Sequence, residues 1–406
     1  MTSPRSPHPL IVPFVAALIG IGPLAIDAYL PALPTMATDL RSNIVAANVT
    51  VSTFLIGYAI GQLFGGPISD QIGRMRVAIP GSLLLVITSV LIAFADDMGT
   101  VQILRAIQAI GGGFATVVAM AMIRDSFPPA EAAKRYPLVM LILLGAPLFA
   151  PAIGAALLPL GWESIFIFLA VYAVLIIVLC PIIGETLPRP GGRIHLGAIL
   201  PQYVEVLRTR VNGRLVPLRF IFAQGLITSV MMIFITNSAF IYLEYFKVGA
   251  DRFVFYFGAN VVVMMAFSLT TSRIVGRIAP FTLFRTGRII QVIALITLTA
   301  CVFLFDPQAI WFTPMLALGI GTAGMIGPSV NALYLSLFDR LAGSASSLMA
   351  TASFVFGGIL GAMASTLHDG TLRPVMATML IAILIANVIA ATIPKPEPFA
   401  DTKGAH

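Results

Sequence analysis

Gly61-Gln62-Leu63-Phe64-Gly65-Gly66-Pro67-Ile68-Ser69-Asp70-Gln71-Ile72-Gly73-Arg74-Met75-Arg76 ends one long apolar run and leads into another. The two runs, read as residues 45–68 and 77–95, each match the roughly 20 residues needed to cross a bilayer core. Between them, one acid, two arginines and several glycines share a loop too short to fold alone. The stretch reads as a tight connection between two membrane-spanning helices.

Composition extends that reading to the whole chain. Its 406 residues are 58% hydrophobic and 10% charged, where a soluble domain carries about 25% charged residues. A soluble core cannot hide so much apolar surface, so the bilayer must act as solvent. In lipid, every backbone polar group must be paired internally, so unalternating apolar runs are helices rather than barrel strands. The net charge is +7, but the basic residues sit in loops, with no basic tail or basic amphipathic stretch. Nucleic-acid binding is not expected. Cys180 and Cys301 lie far apart in apolar segments, so neither a disulfide framework nor a metal site follows. Arg5 makes a weak charged region, and the apolar run from Pro9 is long enough to span. That run is expected to be a retained first helix rather than a signal peptide.

Twelve spans are expected, over 9–31, 45–68, 77–95, 101–123, 136–159, 163–183, 217–243, 252–272, 285–305, 309–336, 344–366 and 373–393. The one long polar interruption runs from Gly184 to Val216, with Pro188, Pro190, Gly191 and Gly192 followed by Arg208, Arg210 and Arg214. The fold class is therefore all-α membrane protein, with two six-helix bundles. The halves are 1–183 and 217–406, the latter ending in a short tail, and 184–216 is a cytoplasmic linker.

With the N-terminus inside, nineteen of the 24 Lys and Arg fall on the inner side, including Arg5, Arg74, Arg76, Arg124, Arg277, Arg285, Arg288 and Lys403. Only Arg41, Lys247, Arg252 and Arg373 fall outside. The positive-inside rule then places both termini in the cytoplasm. The asymmetry also supports twelve spans, because one missed helix would scramble it.

Two ionisable side chains fall clearly within spans: Asp27 in the first and Arg105 in the fourth. Intramembrane charges are costly unless solvated or paired, so each marks a functional site. Counting about 1.5 Å per residue places both roughly 6 Å into the membrane from the outer side, and an ion pair across the cavity is one reading. The plainer reading is a snorkelling arginine and an acid at a helix end. No span contains a histidine, so proton coupling would rest on Asp27. Burial and a nearby arginine shift an acid in opposite directions, and alternating between such environments would let it take up and release a proton. Glu163, Glu244 and Asp125 sit near helix ends and read as caps or interface residues. There is no metal-ligand spacing, no phosphate-cradling loop and no soluble catalytic domain. Neither an enzyme nor a bound cofactor or metal is expected.

The pattern Gly66-x-x-x-Asp70-x-x-Gly73-Arg74 resembles the signature loop of the major facilitator superfamily, which lies on the cytoplasmic side between the second and third helices and governs which side is open. Ile26-Asp27-Ala28-Tyr29-Leu30-Pro31 resembles the first-helix motif of its twelve-span drug:proton antiporters, most closely the bicyclomycin and chloramphenicol resistance (Bcr/CflA) branch. Leu104-Arg105-Ala106-Ile107-Gln108 is similar to the fourth-helix motif, whose arginine is linked to proton transfer. Gly145, Pro147, Pro151 and Gly154 fit the fifth-helix antiporter motif. Phe257-Gly258-Ala259-Asn260 and Ala342-Gly343-Ser344 also look like this branch. Gln71 and Met75 stand where basic residues are usual, and Ala150 where glycine is.

Further expectations follow. Pro147 and Pro151 should bend the fifth span, and Gly145 and Gly154 should let it pack closely on a neighbour. Asp70 should face the N-terminal end of the eleventh span, and Arg74 should pair with Asp125. The resemblance implies a cavity lined by the first, fourth, seventh and tenth spans. Its candidates are Tyr29, Met120, Phe234, Asn237 and Asn331, with Gln224 a weaker one. Methionines and aromatics repack cheaply around varied apolar ligands. The expected function is a proton-coupled efflux antiporter of the bacterial inner membrane. Its partners would be protons, the bilayer and a neutral or weakly charged drug-like molecule, and it would act as a monomer. The alternatives are a facilitator-fold exporter of a metabolite such as a sugar or amino acid, and a non-transporting membrane sensor or scaffold.

Overall fold

The computed structural model describes residues 8–188, 191, 194–338 and 341–394. Arg5, Arg189, Arg193, Arg340, Lys395 and Lys403, which the topology argument used, lie outside them. The described chain is helical, with isolated bridges at Val211/Arg214 and Val275/Ile278 as its only extended pairings.

The first segment comprises α1 (Ile11–Asp27), a 3₁₀ turn (Leu30–Ala32) and α2 (Leu33–Asp39). Pro31 and Pro34 each occupy the start of the element they open, where a missing N–H costs nothing. α3 (Ile44–Ile72) begins at Asn43, whose side chain accepts from the Ala46 N–H at 2.9 Å. α4 (Met75–Ala93) and α5 (Met98–Ser126) follow, the latter capped by Asp97 through the Thr100 N–H. α6 (Pro129–Leu157) and α7 (Glu163–Ile183) complete the first group. After the linker helix α8 (Leu196–Arg208) come α9 (Val216–Ala239), a π turn (Phe240–Tyr245), α10 (Ala250–Ile274), α11 (Pro280–Leu304), α12 (Ala309–Gly321), α13 (Ala323–Leu335), α14 (Ala342–Thr366) and α15 (Arg373–Ala391).

Taking broken segments together, eleven helices among the described residues are long and apolar enough to cross a membrane. α6 is a further 29-residue helix, and the apolar stretch Gly145–Leu160 covers its second half and the 3₁₀ turn Leu158–Leu160 that follows. Three features were not visible as breaks in the sequence: α2 follows a turn after Asp27, a π turn extends α9, and Thr322 separates α12 from α13.

α3 packs on α5, α5 on α4, α4 on α7, and α1 on both α5 and α6. α9 packs on α14 and α15, α10 on α12 and α13, and α11 on α12, α13 and α15. The two groups meet where α3 lies along α14 and α6 along α10. The closest packing explains the glycines of the opening stretch. A Cβ on Gly61 would stand 2.5 Å from the Ile110 carbonyl oxygen; Gly57, one turn before, faces the Ala106 carbonyl still more closely, and a Cβ on Gly65, one turn after, would meet the Phe114 ring at 2.9 Å. In lipid, where apolar side chains gain nothing by leaving one solvent for another, such close backbone approach holds helices together. Tyr58 on the same helix bonds Thr116 of α5 at 2.8 Å and meets the Phe354 ring of α14 edge-on.

Candidate coupling and gate site

Asp27 is the last residue of α1 and is 3% exposed. A carboxylate there faces the unfavourable end of the helix dipole. Its Oδ1 is enclosed and has no hydrogen-bond partner. It makes no ion pair with Arg105.

Arg105 is fully buried rather than snorkelling. Its guanidinium lies 4.1 Å from the centre of the Tyr29 ring and 4.2 Å from that of Phe54. Nη2 donates to the Ala25 carbonyl at 2.8 Å and Nη1 to Gln108 Oε1 at 2.6 Å. Gln108 in turn donates to Ser89 of α4 at 2.6 Å. One cation thus ties α5 to the last turn of α1, on aromatic faces that favour a cation when water is excluded. Arg105 Nε remains without a partner. The sequence located both charges; it did not show that the arginine binds the backbone two residues before the acid.

Gly154 of α6 presses on the same place. A Cβ there would collide with the Ala28 carbonyl, the residue after Asp27. Gly145 differs from expectation, because nothing lies within 4 Å of its Cβ position; it opens space instead of closing a contact. α6 runs unbroken through Pro147 and Pro151.

At the other end of α3, Gly73 adopts φ +115°, a conformation that side chains rarely allow. This turn aims Arg74, 1% exposed, back into the protein. Arg74 Nε lies 2.8 Å from Asp125 Oδ2 of α5, and Nη1 is 2.5 Å from Asp70 Oδ1 and 2.8 Å from Ser69 Oγ. Arg124 also approaches both acids, at 3.9 and 3.6 Å. Asp70 therefore serves these arginines rather than the start of α14. There, Ser344 Oγ donates instead to Gln202 of α8 at 2.9 Å. Gly66 sits one turn before Asp70, its Cβ position 3.8 Å from Ser347 Oγ.

The linker adds contacts that the sequence did not reveal. Glu185 accepts the N–H groups of Arg74 and Met75 at 2.9 and 3.1 Å, capping α4. Gln71 accepts the His195 N–H at 2.6 Å, and its carbonyl accepts that of Gly191 at 2.6 Å. Tyr203 of α8 donates to the Leu63 carbonyl of α3 at 2.6 Å. The glutamine that departs from the usual loop pattern thus fits the linker that lies over it.

The cavity candidates divide. Phe234 lines a narrow cleft between α6, α9, α10 and α12, with Pro147, Met231, Phe257, Asn260 and Met264. Tyr29 is enclosed by Arg105 and lies 3.1 Å from Thr50 Oγ1. Asn237 donates to the Ile233 carbonyl at 2.9 Å and accepts from Ser365 of α14 at 2.9 Å. Neither side chain is free to face a cavity here. Met120 is half-buried, and Asn331 is exposed. Gln224 donates to Thr228 at 3.0 Å. Met231 and Met264 escaped the sequence reading because a methionine in an apolar span carries no local signal.

A helical bundle whose two groups meet along α3/α14 and α6/α10, with buried charges in its interior, has the architecture of a membrane transporter. The chain belongs to the Major Facilitator Superfamily, whose family model matches residues 15–362. It is 28% identical to the bicyclomycin resistance protein homolog of Haemophilus influenzae over 375 residues, 90% of this chain and 91% of that one. It is also 28% identical to the multidrug resistance protein MdtL of Escherichia coli O157:H7 over 387 residues, 93% of this chain and 92% of the other. Both relatives agree with the branch that the motifs resemble. Among solved structures, a D-xylose-proton symporter superposes with a TM-score of 0.72 at 16% identity, covering 95% of this chain and 97% of that one. A POT family transporter gives 0.74 at 12% identity, with 94% of each chain covered. These two show the fold alone.

Proposed function

We propose that this chain is a proton-coupled antiporter that exports antibiotic-like small molecules across the bacterial inner membrane. Twelve spans form two six-helix halves, residues 1–183 and 217–406, that rock about a midplane site. Both termini and the linker 184–216 are cytoplasmic, and the protein acts as a monomer. The observation that carries the reading is Asp27: a buried acid with an unpartnered oxygen, at the end of a helix whose last turn is held by Arg105. An acid so placed gains a proton when its site opens to the outer side and loses it when substrate enters from the inner side. Arg105 positions that turn. Arg74, Asp70 and Asp125 latch the cytoplasmic end, and Gly73 sets the turn that aims the latch.

Substrate enters the cleft around Phe234, Phe257, Met231 and Met264. Its lining is apolar with one amide, Asn260, which suits neutral or weakly charged drugs better than polyhydroxylated sugars. The names of the relatives support the same class.

The test uses inverted membrane vesicles carrying a pH gradient. Adding chloramphenicol should dissipate the gradient in vesicles containing the protein and leave control vesicles unchanged. A panel of neutral drugs that leaves the gradient intact would sink the drug reading.

A further inference from the structure

Arg288 is a fourth buried charge beside Asp27, Arg74 and Arg105, one that the sequence placed only among the inner-side cations, at the start of the span 285–305. It lies in α11, is 9% exposed, and stacks 4.5 Å over the centre of the Phe284 ring. Its Nε and Nη1 are enclosed and have no hydrogen-bond partner. A buried guanidinium in that condition is unfavourable unless something supplies an acceptor.

Among the described residues, the elements packed on α11 supply none; Asp339, four residues past α13, lies outside them. α12 and α13 contain no acid, and the only charge on α15 is Arg373 at its far end. No Asp or Glu occurs between Asp251 and Asp306. The nearest charge in sequence is another cation, the exposed Arg285 one turn toward the helix start, and Arg273 and Arg277 precede it. A further donor faces the same aromatic cluster. Tyr334 of α13 is fully buried with its hydroxyl unpartnered, and its ring is 6.1 Å from Phe220, which lies 6.5 Å from Phe284. Arg74 in the other half makes the contrast plain, since two acids and a serine surround it.

The depth of Arg288 identifies what is missing. The 17 residues from Ile289 to Phe305 carry no charge. At about 1.5 Å per residue they span about 26 Å, close to the hydrocarbon thickness. Arg288 therefore stands at the level where lipid phosphates lie. Basic pockets between helices at this level recognise anionic headgroups. We propose that Arg288, with Arg285 and Tyr334, forms a binding site for the phosphate of an anionic phospholipid at the inner ends of α9, α11 and α13. The site rests on the membrane reading of α11 and is independent of drug export.

The test measures thermal unfolding of the full chain in neutral detergent, titrated with dioctanoyl phosphatidylglycerol, dioctanoyl phosphatidylcholine or inorganic phosphate. Phosphatidylglycerol should raise the midpoint saturably and phosphatidylcholine should not. Arg288→Gln should weaken the phosphatidylglycerol response at least about tenfold, the size expected for losing a charge-assisted phosphate contact. Arg210→Gln, an exposed control, should leave it unchanged. If Arg288→Gln fails to fold, Arg288→Lys takes its place and should weaken the response about threefold, because lysine keeps the charge but loses the fork. Equal responses to the two lipids, or wild-type affinity in the Arg288 variant that folds, would overturn the site. Inorganic phosphate that matches the lipid's affinity would overturn the lipid as the source of the anion.

Discussion

Arg105 donates through Nη2 to the carbonyl oxygen of Ala25 at 2.8 Å, and not to the carboxylate of Asp27 two residues later. The distinction matters for mechanism. An arginine locked in an ion pair would hold the acid charged. An arginine bound to the backbone fixes the helix end and leaves the acid free to exchange its proton.

Arg105→Lys should therefore impair transport although it keeps the charge. Lysine cannot bind Ala25 and Gln108 while stacking on Tyr29 and Phe54, so drug-driven proton exchange should fall about tenfold or more. Counterflow of drug without a pH gradient should fall less. The two assays in reconstituted vesicles check this, and equal losses in both would place Arg105 in general packing instead.

The two antiporter-motif glycines should behave oppositely. Gly154→Val drives a side chain into the Ala28 carbonyl and must move α6 or α1, at about 1–3 kcal/mol of stability, with proton leakage in the absence of drug. Gly145→Ala has open space and should change stability by less than about 0.5 kcal/mol. Thermal unfolding and passive decay of a pH gradient read both effects.

Asp125→Asn leaves Arg74 buried with one acid fewer, a loss of about 3 kcal/mol where the pair is desolvated. The expected readout is a lower unfolding midpoint together with faster maleimide labelling of a Met120→Cys probe. Unchanged labelling would mean that Arg74 stabilises the loop without gating.

Glu185 caps α4 from the linker. Glu185→Gln should cost about 1 kcal/mol through the lost charge-assisted bonds to Arg74 and Met75. Proteolysis of the linker near residue 190 should quicken in that variant, and an unchanged rate would show that the cap does not hold the linker down.

How far the sequence carried this picture depends on the range of each signal. Helix positions were legible because lipid imposes length and apolarity on every span, and α7 fell where expected, over Glu163–Ile183. Asp27 and Arg105 were legible because charge is rare in a span. The burial of Arg288 was missed because it lies at the inner edge of the span 285–305, where an interfacial arginine and a buried one look alike in sequence. The Ala25–Arg105 bond and the grip of Gln71 on His195 use backbone atoms, which every residue has, so no residue type announces them. Tyr29 and Asn237 look like cavity residues by chemistry, yet Arg105 and Ser365 occupy them. Asp70 was read against a helix end, but Arg74 four residues on and Arg124 lie closer to hand.

The central claim is that Asp27 carries the coupled proton. It is tested most directly by proton release when drug binds the purified protein in weakly buffered detergent solution. Wild type should release about one proton per bound drug below the pH at which the site empties by itself. Asp27→Asn should bind drug with similar affinity and release none. Release from Asp27→Asn equal to that of wild type would contradict the account and place the coupling on another group.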